Sequence, residues 1–394
     1  MSTQAIAVNG AARQRYLLTL LFAGFVLTGL EITLIGPLLP TFIARWSLSD
    51  SRAGVLGAVQ FSASLAGVWL SSLLTHYFGP RVSLILGYFS MAVGLATVNA
   101  SSLNVVLLAL AALGLGYGLV VPPTNLGVAQ IGEAHSAALV SLVNFAWGAG
   151  AVSCSPLVLL ALKNGLLSQF LLAFGAFGAL LTFSFFFAEM PEARSKEAGP
   201  AAASATATKV AIGNTIALAA LFFLYVGIEV SLGSWAAEHT KRLSHAGAGL
   251  ATVAPMFFYG GLMTGRAFAP VILARVREYR LVLCAIFVVC TGNLLLVLAQ
   301  QQTVAFASLV IAGLGCATIF PVYIAWLSRW YGRAANRVSG LMFSMSSIGS
   351  AVAPPCIGIV SDHGGGLRVG LLVPLVSALI MFFLLSLVRR QATA

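Results

Sequence analysis

Twelve stretches of about 20 mainly apolar residues follow one another along this chain, and about 20 residues is the length a helix needs to cross bilayer hydrocarbon. In lipid the backbone polar groups of each stretch have to be satisfied internally, so these stretches are predicted to be helices. They fall near 16–43, 53–77, 82–98, 103–131, 137–162 and 166–187, then near 210–237, 249–273, 281–299, 304–330, 338–360 and 369–388. Composition excludes a soluble fold. Only 8% of the 394 residues are charged and 59% are hydrophobic, against roughly 25% charged in an ordinary soluble domain. The cysteines (Cys154, Cys284, Cys290, Cys316 and Cys356) are odd in number and lie inside apolar runs without metal-ligand spacing. They read as small packing residues, and no metal and no cofactor is expected.

The net charge is +11. Nucleic-acid binding would need basic residues clustered on a water-facing surface, whereas here they occupy short connections between apolar runs. Membrane topology accounts for them better, and no nucleic-acid partner is expected. With the amino terminus in the cytoplasm, the opposite side carries Arg45, Arg52, Lys163, Lys241, Arg242 and Arg368, and Arg266 lies within a stretch. The other fourteen of the 21 basic residues fall on the cytoplasmic side, as the positive-inside rule requires. The expected location is a bacterial inner membrane, multi-pass, with both termini cytoplasmic. Arg13 and Arg15 precede a stretch too long for a signal-peptide core, so it reads as an uncleaved first span. The polar run Pro191–Lys209 reads as a flexible linker. The expected organisation is a six-helix bundle over 1–187, a cytoplasmic linker over 188–210 and a second six-helix bundle over 211–394.

The two halves repeat. Gly29-Leu30-Glu31-Ile32-Thr33-Leu34 is echoed 198 residues later by Gly227-Ile228-Glu229-Val230-Ser231-Leu232. Gly114-Leu115-Gly116 and Pro122 recur as Gly313-Leu314-Gly315 and Pro321, and Ser141, Phe145 and Pro156 recur as Ser339, Phe343 and Pro354. Six spans per half give both halves the same orientation, a parallel repeat about an axis along the membrane normal. The expected fold is therefore an all-α membrane protein of twelve transmembrane helices in two parallel six-helix repeats. Prolines inside spans one, four, ten, eleven and twelve are expected to kink them.

With Asn144-Phe145-Ala146-Trp147-Gly148-Ala149-Gly150, Tyr225-Val226-Gly227-Ile228-Glu229-Val230 and Gly313-Leu314-Gly315 with Phe320-Pro321, the chain resembles the major facilitator superfamily. Within it, these stretches resemble the fucose-permease-like branch of sugar transporters. The resemblance implies alternating access, a monomer, and helices one and seven flanking a central pathway. The loop after span two departs from the superfamily pattern, with Ser72 and His76 in place of its glycine and aspartate, and only Gly79 and Arg81 keeping to type.

A carboxylate at bilayer centre costs about 2.5–3.5 kcal/mol on insertion scales. Glu31 and Glu229 are the acids well inside spans, at matched positions of the two halves. Both are candidates for proton coupling, and Glu229 also for holding solute hydroxyls. Arg266 is the one intramembrane base, read either as an anchor or helix-pairing group or as a partner for an acid or anionic solute. Sugar recognition calls for amides and flat rings. The candidates in the first half are Gln60, Asn125, Asn144 and Trp147, and in the second Tyr225, Trp235, Tyr259, Asn293, Tyr323 and Trp326. The expected partners are thus a sugar-like small molecule, a proton (sodium being the alternative coupling ion) and the lipid bilayer. A proton-driven exporter of drugs or lipophilic cations is the competing reading, and a solute sensor built on a transporter body is another. An enzyme is not expected: no nucleophile elbow, phosphate loop or His/Cys/Asp cluster is present. The five histidines lie in loops or at span ends, where a solvated side chain is the default.

Overall fold

The structure is a computed structural model and describes residues 2–132, 136–188, 190, 212–243, 249–332 and 335–393. The linker predicted over 188–210 lies almost wholly outside the described residues. Fifteen α-helices run through the described residues. They are α1 (Ser2–Thr33), α2 (Ile35–Trp46), α3 (Asp50–Phe78), α4 (Pro80–Thr97), α5 (Leu103–Gly132), α6 (Ser136–Lys163) and α7 (Leu167–Phe185). Then come α8 (Ile212–Arg242), α9 (Ala254–Leu273), α10 (Glu278–Leu298), α11 (Gln302–Cys316), α12 (Ile319–Tyr331), α13 (Ala335–Gly364), α14 (Leu367–Gly370) and α15 (Leu372–Thr393). Eleven helical segments among the described residues are long and apolar enough to cross a membrane. The remaining predicted span, the eighth, is the 3-10 turn Leu250–Val253 continued by the 20 residues of α9.

The chain packs as two compact units, Met1–Leu34 with Val59–Ser195, and Ile35–Ala58 with Lys196–Ala394. Each repeats the other's pairings. In the first, α1 packs on α6, α4 on α5 and α4 on α7; in the second, α8 packs on α13, α10 on α11 and α10 on α15. The repeated glycines stand where helix backbones touch. A Cβ on Gly114 would lie 1.8 Å from the Gln60 carbonyl oxygen, and one on Gly313 would lie 2.1 Å from that of Phe258. Gly150 meets the Val26 carbonyl in the same way, and Gly349 that of Phe223. Without a hydrophobic driving force between helices in lipid, such close backbone approach is a main source of helix association.

Proline acts differently at matched places. Pro37 has no N–H for the Thr33 carbonyl and its ring crowds that group. The first span breaks there: α1 ends at Thr33, and Leu34 N bonds the Glu31 carbonyl at 3.2 Å in a tightened last turn. Pro321 breaks span ten between α11 and α12, where Ala317 N turns back to the Leu314 carbonyl at 3.4 Å. Its counterpart in span four leaves α5 continuous through Pro122 and Pro123. The reason is local. Pro123 strips the Leu119 carbonyl of its helical donor, and the hydroxyls of Ser71 and Ser83 replace it at 3.2 and 2.7 Å.

Candidate functional site

In the first unit, Glu31 lies on the last turn of α1, one turn before the break at Leu34. Its side chain is fully buried, and neither carboxyl oxygen has a hydrogen-bond partner. The two polar residues beside it in sequence are already committed: Thr28 and Thr33 donate to the Gly24 and Gly29 carbonyls of their own helix at 2.8 and 2.9 Å. Gln60, on α3, is fully buried with both amide atoms unpartnered. Asn125 and Asn144 face each other. Asn144 Nδ2 donates to Asn125 Oδ1 at 2.9 Å, and each amide also bonds the carbonyl one turn back on its helix. Trp147 is half-buried on α6, where its carbonyl meets Gly29. The unit also holds an apolar recess of about 490 Å³ lined by Leu18, Thr19, Phe22, Ala23, Val26 and Ala146.

The second unit treats its matched acid differently. Glu229 accepts a hydrogen bond from the Tyr225 hydroxyl one turn earlier on α8 and lies 3.7 Å from a guanidinium nitrogen of Arg266 on α9. The same hydroxyl lies 3.1 Å from the Cys316 carbonyl, at the end of α11 where span ten breaks, so its single proton is shared between the two acceptors. Arg266 therefore has an acid partner within its own unit, while its Nε is buried with no acceptor. Tyr323 and Trp326, on α12, are fully buried with their hydroxyl and indole nitrogen unpartnered. Their rings stand 5.7 Å apart, and Trp326 stacks on Trp330 at 5.6 Å. Those three buried donors, on Arg266, Tyr323 and Trp326, suit a solute that brings acceptor oxygens.

The other candidates make contacts between helices. Trp235 Nε1 donates to the Pro354 carbonyl at 3.1 Å, tying α8 to α13. Asn293 Nδ2 donates to the Leu371 carbonyl at 3.2 Å, tying α10 to the end of α14. Tyr259 is buried, with its hydroxyl lying where a Cβ on Gly233 would stand. One expectation is corrected: His239, read as solvated at a span end, is buried, and its Nε2–H donates to the Leu296 carbonyl at 3.0 Å. Sequence position alone did not show that the last turn of α8 continues inside the protein. Nor did it show that Asp50, Glu238 and Arg242, all at span ends, meet in one cluster.

A two-repeat bundle of membrane-spanning helices, with one acid per repeat at the same register, defines a transporter class of membrane protein. The sequence profile of the Major Facilitator Superfamily matches residues 21–301 and 237–394, and the chain belongs to that superfamily. It is a multi-pass membrane transporter by family, and not an enzyme. Among curated relatives, it is 26% identical over 140 residues to a "sodium-dependent glucose transporter 1" of Danio rerio, covering 35% of this chain and 23% of that protein. It is 25% identical over 142 residues to a "putative glucose/galactose transporter" of Helicobacter pylori, covering 36% and 34%. The matched region thus spans about a third or less of each relative's length. Its fold is similar to a bacterial homolog of the human lysosomal transporter Spinster (TM-score 0.78, 17% identity, 96% and 97% of the two chains). It is also similar to a D-xylose–proton symporter (0.74, 16%, 93% and 96%) and to the Escherichia coli fucose:proton symporter (0.61, 16%, 94% and 98%).

Proposed function

We propose that this protein is a secondary active transporter that moves a sugar-like solute by proton-coupled alternating access, with Glu31 as the group that takes up and releases the proton. One observation carries this reading: Glu31 is wholly buried with both oxygens unpartnered, while its repeat counterpart Glu229 lies against a guanidinium. An ionised carboxylate in a dry interior without a partner is very costly. A proton on Glu31 removes that cost in the closed arrangement, and water reaching the carboxyl when the transporter opens lets the proton leave. Glu229, Arg266 and Tyr225 form a charged and hydrogen-bonded cluster next to Tyr323 and Trp326, the part of the second unit best suited to hold hydroxylated solute. The sugar names among the curated relatives support the solute class; the proton rests on Glu31, and the sodium-dependent name of one relative makes sodium the alternative that the uptake test has to separate. Location in a bacterial inner membrane with cytoplasmic termini, and action as a monomer, belong to the same reading.

The test is uptake into proteoliposomes. Labelled glucose, galactose, xylose and fucose are offered under an inward proton gradient, and separately under an inward sodium gradient. At least one sugar is expected to accumulate under the proton gradient and to stop accumulating in Glu31→Gln, while solute exchange without a gradient persists. Accumulation that follows sodium alone, or that survives Glu31→Gln, rejects the proton assignment.

Export of lipophilic cations is the second reading. It is favoured by the apolar recess on the first unit, whose single polar member, Thr19, already bonds the Arg15 carbonyl at 2.9 Å. Efflux of a cationic dye with no sugar uptake would decide for it.

A further inference from the structure

The buried polar groups of the second unit do not match one another in kind. Arg266 carries five N–H groups and no acceptor. Its guanidinium lies 3.7 Å from Glu229, beyond hydrogen-bond length, and its Nε is buried with no acceptor. The Tyr225 hydroxyl oxygen is the other group within its reach. The hydroxyl of Tyr323 and the indole N–H of Trp326 are also buried without partners. A row of rings connects these groups: Tyr225 stands 6.3 Å from Tyr323, and Tyr323 stands 5.7 Å from Trp326. Against these donors the structure sets the Glu229 carboxylate and the Cys316 carbonyl, and the Tyr225 hydroxyl already lies on both. Donors are in surplus.

Helix packing does not call for this surplus. The repeat gives the first half Leu27 at the place of Tyr225 and Val68 at the place of Arg266, 198 residues earlier in each case. The backbones nonetheless approach at the same point. A Cβ on Gly67 would stand 2.4 Å from the Leu115 carbonyl oxygen, and one on Gly265 would stand 3.2 Å from that of Leu314. A guanidinium within a span is costly, and the matched span packs without one. Arg266 also keeps 33% of its side chain exposed, so its charge is within reach of a solute.

We infer that the preferred solute is a sugar acid, bound through its carboxylate to Arg266. A neutral sugar brings a donor with every hydroxyl oxygen and so calls for acceptors that this row lacks. A carboxylate brings two oxygens and no donor, and its plane matches the fork of a guanidinium. Tyr323 and Trp326 add neutral donors along the same row. Glu229 then has two effects of opposite sign: it can accept from a solute hydroxyl, and as a like charge it weakens the hold on the acid. The inference rests on the transporter reading above and on its sugar-like solute, but not on the coupling ion.

The test is calorimetric titration of the purified full chain at constant ionic strength, with D-glucuronate set against D-glucose and D-galacturonate against D-galactose. Each acid differs from its sugar only in the carboxylate that replaces one hydroxymethyl group. At least one acid is expected to bind about thirtyfold tighter than its sugar, within the range for a charge-assisted hydrogen bond. Arg266→Gln is expected to erase that ratio. Arg266→Lys keeps the charge and loses the fork, and is expected to cut the ratio about fivefold. Glu229→Gln is expected to raise it about fivefold, because a like charge beside the acid is gone. A general loss of fold weakens an acid and its sugar alike and leaves the ratio unmoved. Arg266→Lys and Glu229→Gln carry the test where Arg266→Gln does not fold. Equal binding of both acids and their sugars in the parent overturns the inference, as does a ratio that no Arg266 variant changes or that falls in Glu229→Gln. Where neither acid binds, the carboxylate falls, and the sugar reading is decided separately by uptake of the neutral sugars.

Discussion

Glu31 and Glu229 occupy the same register of a repeated hexapeptide, yet the fold gives them opposite surroundings. Glu31 is sealed in the first unit with no donor for either oxygen. Glu229 has a tyrosine hydroxyl on it and an arginine beside it. The difference comes from single positions: α8 carries Tyr225 one turn before Glu229, where α1 has Leu27 before Glu31, and α9 supplies Arg266. A shared backbone plan thus leaves one acid without a partner and gives the other a hydroxyl donor and a neighbouring guanidinium. Each also stands at a break in a helix. Glu31 precedes the break in span one directly, and Glu229 is connected through Tyr225 to the carbonyl at the break in span ten.

The largest effect expected from breaking this contrast is at Glu31. Glu31→Gln loses gradient-driven accumulation altogether, measured as uptake into proteoliposomes, while its melting temperature stays within about 1 °C of the parent, because no hydrogen bond is removed. Next is Arg266→Gln, which takes the guanidinium away from Glu229. Breaking a fully buried pair costs about 3–5 kcal/mol. The Arg266 side chain is 33% exposed, so about 2 kcal/mol is expected after allowing for solvent screening. The Glu229→Gln/Arg266→Gln double variant is expected to be no less stable than Arg266→Gln in denaturant titrations. Tyr225→Phe removes the hydroxyl from both Glu229 and the Cys316 carbonyl. It is expected to cost about 1.5 kcal/mol, the range for a hydrogen bond to a charged group, with the pH dependence of uptake unmoved. Smallest is Trp235→Phe. Losing its bond to the Pro354 carbonyl costs about 1 kcal/mol of stability, while the solute concentration for half-maximal uptake is unchanged.

The spans and the repeat were legible because each is written locally: 20 apolar residues, and glycines at a fixed offset. The two glutamates stood out for the same reason, since an acid in an apolar run is visible without any partner. Partners were not legible. Nothing near Glu229 in sequence names Arg266, 37 residues on, and nothing near Asp50 names Arg242. Proline position showed where a span could bend but not whether its helix would stay continuous: at Pro122-Pro123, Ser71 and Ser83, from two other helices, satisfy the Leu119 carbonyl and α5 runs on. For Trp235 and Asn293 residue type did not reveal the carbonyl that each donates to on a neighbouring helix.

The helix that begins at Asp50 runs without interruption for 29 residues to Phe78, a rod of about 43 Å at 1.5 Å per residue. That length matches the roughly 40–45 Å of a bilayer counted with its headgroup layers, so this single helix is long enough to bring both its Asp50 end and its His76 end to water.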